Sequence, residues 1–242
     1  MPASRVAPHD ASLYQVRFYG FSDACIRWME SEQAIGADLS WLLFHGVREC
    51  SEDWLRAFHS SALPGERKRK VHLLDFPGFG GSWTCGGRDW TLHEWAALIK
   101  AAIRVVSRED TGRGLALAAH ELSAMPLGMA LLSEPELQSR VRFLVLLDPW
   151  LMRPSRREAS RVMVDSWPGP LEHREWSRGL AQMGLPVLVQ LTQPKLDAMR
   201  MAEEVLRPFP HAEIWFKEGA EARDVLQRVR AFSERLERAR AA

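Results

Sequence analysis

GLALAAHELSAMPLGMALL, residues 114 to 132, is the stretch on which the fold of this 242-residue chain turns. An apolar run of strand length ends at Ala118 and Ala119, a short segment from His120 to Ser123 follows, and then Met125, Met129 and Leu132 recur at spacings near 3.6. The pattern is strand, tight turn, helix. Two small residues, Ala119 and Ser123, stand two positions to either side of Glu121, as a strained turn requires where backbones come close.

Toward the C-terminus, Arg142 to Leu147 is a continuous apolar strand closed by Asp148-Pro149-Trp150. Residues 151–185 break the rhythm with arginine, proline and glycine and read as a short lid insertion. Pro186 to Leu191 is a strand, Ala202 to Leu206 is helical, and Ala212 to Phe216 is the last strand. A C-terminal helix from Ala222 to Ala239 puts Val225, Leu226, Val229, Phe232 and Leu236 on one face. Toward the N-terminus, Thr91 caps a helix running to about Val106, and Val71 to Asp75 is a buried strand. After it comes Phe76-Pro77-Gly78-Phe79-Gly80-Gly81-Ser82, a loop whose glycines permit positive φ and close approach. These glycines do not open a helix as GxGxxG does, which excludes a dinucleotide-binding fold. Lys68 to Lys70 read as a solvated edge. Ser51 caps a helix to about Ala62, and Leu39 to Phe44 is a buried strand stopping at His45-Gly46. A hairpin of Leu13 to Phe21 and Ala24 to Glu30 opens the domain, behind a mobile lead-in of residues 1–12. Alternating strands and helices imply one α/β domain over residues 13–242, with a mostly parallel sheet covered on both faces.

Composition narrows the function. A formal net charge of +1 leaves no electrostatic footprint for nucleic acid. No apolar run approaches the roughly 18 residues of a membrane span, and MPASRVAPHD lacks a signal peptide's apolar stretch, so a cytoplasmic protein without a membrane partner is expected. Cys25, Cys50 and Cys85 show neither CxxC spacing nor neighbouring histidines and read as free thiols, so no metal site and no cofactor is expected. Homo-oligomerisation is left open.

Four landmarks in order carry a resemblance to the alpha/beta-hydrolase family: His45-Gly46, Asp75-Phe76-Pro77-Gly78-Phe79-Gly80, the turn Ala119 to Ser123, and Asp148-Pro149. The resemblance covers roughly residues 13 to 240. It implies that Glu121 occupies the nucleophile elbow and that the backbone amides of Val47 and Leu122 form an oxyanion hole. It also implies an acid in the loop Thr192 to Asp197, with Asp148 as an alternative, and a histidine after the last strand. The histidine is missing, because His211 is the last in the chain and precedes that strand. The triad is therefore degenerate, and serine-type hydrolysis is not expected.

Glu121 faces two opposing effects. A helix N-terminus favours the anion, whereas burial in a pocket disfavours it. If burial wins, Glu121 is an acid/base group for a lyase, isomerase or cyclase reaction on a small carbonyl-bearing molecule. If the helix end wins, the carboxylate folds onto Val47 and Leu122, and the protein is a pseudo-hydrolase that binds a small molecule or a protein. An atypical hydrolase using another histidine, such as His93 or His173, is a third alternative. Around the elbow, His45, Gly46, Arg48, His120, Asp148, Trp150 and Gln193 are pocket candidates. Of these, His120 and His45 read first as structural, and Arg48 with Glu49 as a surface pair at the rim.

Overall fold

The computed structural model describes residues 14–33, 39–61, 69–109, 114–150, 165–168, 170–191, 209, 212–216 and 222–241. The expected lead-in, the helix at 202–206, residues 151–164 of the lid, and Gln193 and Asp197 lie outside them.

The expected hairpin is present as β1 (Tyr14–Phe21) and β2 (Ala24–Gln33), paired antiparallel from Tyr14↔Ser31 to Phe21↔Ala24. β3 (Ser40–Phe44), β4 (Arg69–Leu74), β6 (Leu115–His120), β7 (Val141–Leu147), β8 (Val187–Leu191) and β9 (Ala212–Phe216) are the parallel strands, and the two-residue β5 (Trp83–Thr84) pairs with β2. The sheet order is β1-β2-β4-β3-β6-β7-β8-β9. The central strands are largely apolar because both faces are covered, and every residue of β3 and β8 is buried.

Two cores result. On one face, α2 (Leu92–Glu109), α3 (Ala124–Leu132) and α5 (Pro170–Gln182) cover the sheet through residues such as Trp95, Ile99, Leu127 and Trp176. On the other, α1 (Ser51–Ser61) and α6 (Ala222–Ala241) contribute Leu55, Val229 and Phe232. The four-residue helix α4 (Pro135–Gln138) links α3 to β7. The insertion expected at 151–185 thus contains α5, whose Trp176 lies against Gly128 of α3 and donates to the Met125 carbonyl at 3.3 Å.

Two local expectations are corrected. Ser51 does not cap α1. Its amide and hydroxyl both donate to Asp75 Oδ1 at 2.7 Å, and Asp53 caps instead by accepting the Cys50 amide at 2.9 Å. A buried carboxylate facing this helix end competes for the serine and wins. Lys70 is not simply solvated either. Its Nζ lies 3.2 Å from Glu30 Oε2 and 3.7 Å from Glu109 Oε2, because β2 and the end of α2 present carboxylates to it. Thr91 does cap α2: its hydroxyl accepts the Glu94 amide at 3.2 Å, and its own amide donates to Glu94 Oε2 at 2.8 Å.

Candidate functional site

β4, β3, β6 and β7 lie side by side, and β3 is where the chain changes direction across the sheet, the place where open α/β sheets put their ligands. Phe44 of β3 pairs with Ala119 of β6, and His120 with Leu147 of β7, so the loops that follow all emerge at one edge. Backbone strain gathers there. Of the four non-glycine residues with positive φ among those described, Arg48 (66°), Glu121 (50°) and Asp148 (41°) belong to these loops.

Ser123 holds the turn. Its Oγ accepts the His120 amide at 2.9 Å and lies 2.8 Å from the His120 carbonyl and 3.0 Å from that of Phe44, which is why a small hydroxyl residue stands two positions after Glu121. The Glu121 carbonyl accepts the Trp150 amide at 3.2 Å, tying the elbow to the loop after β7.

The Glu121 side chain points at the loop after β3. Its Oε2 accepts the Val47 amide at 2.9 Å, whereas among the described residues no bond from Leu122 reaches it. Gly46 makes room: a Cβ there would lie 2.6 Å from Glu121 Oε2, 2.8 Å from His120 Nδ1 and 3.1 Å from Glu49 Oε2. Burial raises the Glu121 pKa above the ordinary carboxylate value. The charge of His120 and the Val47 amide pull it back only in part, while the negative charges of Glu49 and Asp148 add to the rise. The net direction is upward, and burial is its largest cause.

Glu49 is the residue that sequence reasoning passed over as half of a surface pair with Arg48. Its Oε2 accepts the Gly46 amide at 2.7 Å and lies 2.7 Å from His120 Nδ1. Burial works against its charge, but these partners outweigh it and hold the Glu49 carboxyl below the usual range. The signal was its place three residues after Gly46, from which a carboxylate can fold back onto that amide. Arg48 is exposed at the rim.

His45 lies in the scaffold rather than at the pocket surface. It is 1% exposed, its Nε2 accepts the Phe76 amide at 3.0 Å, and the remaining Nδ1–H donates to the Gly46 carbonyl at 2.7 Å. Burial keeps its pKa below the ordinary histidine value, and it locks the loop after β3 to the loop after β4. Cys50 is no nucleophile, because burial and the neighbouring Glu52 and Asp53 push its thiol up to about 12. Met125 and Trp167 are buried in the core.

A second histidine–carboxylate group lies away from the elbow. Glu30, His72 and Glu109 offer one ligand atom each within 4.8 Å of one another, a spacing a metal could use. Lys70 already sits on both carboxylates, and Arg17 Nη1 lies 3.3 Å from Glu30 and 3.4 Å from Glu109. Protein cations therefore neutralise this group.

No curated protein matches the chain in sequence. Among solved structures it is similar to a soluble variant of the monoglyceride lipase of Saccharomyces cerevisiae, with a TM-score of 0.65 at 12% identity over 96% of this chain and 97% of that one. It is also similar to the thioesterase domain of the curacin biosynthetic pathway (0.64, 14%, 93% and 99%) and to a carboxylesterase structure from Nitrososphaera gargenis (0.60, 12%, 93% and 98%). A sequence model of the alpha/beta hydrolase family matches residues 41–240, from the second residue of β3 to the last turn of α6. That span takes in the glycine loop, the elbow and every parallel strand, and the chain belongs to the alpha/beta hydrolase family.

Proposed function

We propose that the protein is a non-hydrolytic acid/base enzyme acting on a small carbonyl-bearing molecule, with Glu121 as its proton carrier. The observation that carries this reading is the state of the Glu121 carboxyl. It is half-buried at the end of β6, held on left-handed backbone, bound among the described residues by one backbone donor and raised in pKa. A carboxyl tuned toward neutrality can both accept and return a proton at working pH. A serine-type triad is not available to it, since glutamate fills the nucleophile position and no histidine follows His211. Proton transfer of this kind needs no cofactor. The Leu122 amide would face the oxygen of a bound carbonyl, together with Val47 once the carboxyl has turned toward substrate. The ligand is a small molecule rather than nucleic acid or membrane, and we read the protein as cytoplasmic. No helix among the described residues is long and apolar enough to cross a membrane.

One observation favours a second reading, a pseudo-hydrolase that serves as a binding scaffold: the Val47 amide is already engaged by Glu121. A thermal-shift screen of small ketones, lactones and acyl thioesters on wild type and Glu121→Gln separates the two. A ligand at about one hundred times its dissociation constant stabilises the fold by roughly 2.7 kcal/mol, well within reach of such a screen. The enzyme reading expects hits on the wild type whose turnover disappears in Glu121→Gln. Full turnover in that variant would remove Glu121 from the chemistry. Ligand binding without turnover in either protein would favour the scaffold.

A further inference from the structure

The His120 imidazole is held at Nδ1, which lies 2.7 Å from Glu49 Oε2, and the side chain also closes the capping box of the elbow with the Ser123 amide. The side chain is 21% exposed, so the ring is not sealed into the core, and Trp54 packs edge-on to it with centroids 6.4 Å apart. Glu49 is itself anchored by the Gly46 amide, and the gap left by that glycine is where Glu49, His120 and Glu121 meet. An imidazole oriented through one nitrogen by a fixed carboxylate, next to a second ionisable group, is the arrangement of a proton relay. The other histidine–carboxylate group has no such opening, because His72 is fully buried and Lys70 and Arg17 reach its carboxylates.

We propose that His120, oriented through Nδ1 by Glu49, is the second acid/base group of the elbow and exchanges a proton through Nε2 while Glu121 exchanges one with carbon. The inference rests on the reading of Glu121 as proton carrier. With a substrate that bears a hydrogen α to a carbonyl, the Glu121 carboxylate takes that hydrogen as a proton. The C–H electron pair becomes the C=C bond of the enol, and the carbonyl π pair takes the proton of the imidazolium Nε2–H. Delivery of the Glu121 proton back to the α-carbon, with the enol O–H proton returned to Nε2, restores the carbonyl, regenerates the two side chains and consumes no further reagent. Glu49 stays ionised and is a positioning residue. The charged groups facing the ring are Glu49 from the loop after β3, Glu121 on the elbow and Asp148 after β7. Burial opposes the imidazolium, but the Glu49 hydrogen bond and these three charges outweigh it and raise the His120 pKa.

Two measurements on the full chain test the relay. In the first, diethylpyrocarbonate modification of His120 is followed by peptide mass spectrometry across a pH series. The relay requires carbethoxylation of His120 with a midpoint above the ordinary histidine value, falling by about one pH unit or more in Glu49→Gln. An unreactive His120, or a midpoint that ignores Glu49, overturns the proposal whatever the turnover. In the second, exchange of α-hydrogens in acetone, cyclohexanone and S-ethyl thioacetate is followed in D2O by proton NMR. Exchange should fall by about a hundredfold or more in both Glu121→Gln and His120→Gln, with thermal melts confirming that each is folded. In Glu49→Gln the pH profile should move down. Exchange lost in Glu121→Gln but kept in His120→Gln sinks the relay and leaves Glu121 standing. Exchange unaffected by Glu121→Gln, or absent from the wild type with all three probes, overturns both.

Discussion

Asp75 and Glu121 follow strands on either side of β3, and each lies against a glycine that could not carry a side chain undisturbed. Asp75 is fully buried and saturated with donors. Its Oδ1 takes the Ser51 amide and hydroxyl, and its Oδ2 takes the Gly81 amide at 2.9 Å and the Arg27 guanidinium. Glu121 is half-buried and, among the described residues, has one donor, Val47. Burial alone therefore does not decide what a carboxylate does at the end of a strand; the supply of donors does. A saturated anion is part of the frame, whereas an undersupplied one keeps a pKa that a reaction can use.

The largest expected effect breaks the saturated member. Asp75→Ala removes the acceptor for two backbone amides and leaves Arg27 facing only Glu52, so it should cost about 3–5 kcal/mol in urea unfolding. A loss below about 1 kcal/mol would mean that the donors find other partners and that saturation does not stabilise the frame. Arg27→Met tests the same network from the other side and should cost less, because Ser51 and Gly81 still hold Asp75.

Next in size is Gly46→Ala, which strikes the open member. The atoms its Cβ would meet are the far ends of the Glu121, His120 and Glu49 side chains, which can swing away, so stability should fall by only about 1 kcal/mol. The geometry of the site should not survive the change. Diethylpyrocarbonate modification of His120 should lose its raised midpoint although the chain remains folded. A cost of several kcal/mol with His120 unchanged would show that Gly46 serves the backbone and not the side chains around it.

The fold was legible in the chain because strand-length apolar runs, glycine loops and the small-x-Glu-x-small turn report backbone requirements, and these are local. The centre of the turn was placed at Glu121, which carries the left-handed backbone, although β6 runs one residue past the expected Ala119, to His120. The Asp75 motif was recognised as a landmark but its reason was not visible, since Ser51 and Arg27 are 24 and 48 residues away. The same limit hid the site's electrostatics. Competition between the helix end and burial could be stated from Glu121 alone, but not how far the fold buries the carboxyl, nor that Glu49, 72 positions earlier and in sequence a rim residue beside Arg48, adds its charge to the rise. His120 illustrates the point most directly. Its place before the elbow suggested a structural side chain, and only the fold brings a carboxylate to its Nδ1.

The smallest effect is the most direct comparison of the two anions. Glu121 has a folded-state pKa above its unfolded value, so the folded protein retains a proton that the unfolded chain has released. The stability this contributes is fully present below the ordinary carboxylate value and is lost as pH rises through the raised value. Glu121→Gln escapes that loss, and its stability relative to wild type should therefore climb between acid and neutral pH. Attraction to His120 and the Val47 hydrogen bond work against the gain, and solvent reaches the half-buried side chain, so the difference should stay below about 1 kcal/mol, or roughly 2–4 °C in Tm. The sign carries the information. A variant that melts at or above the wild type at neutral pH marks Glu121 as an anion kept against the interest of the fold, as a catalytic group is. A variant that melts clearly below it would place Glu121 with Asp75, as an internal anion satisfied by the elbow, and would turn the balance toward the scaffold.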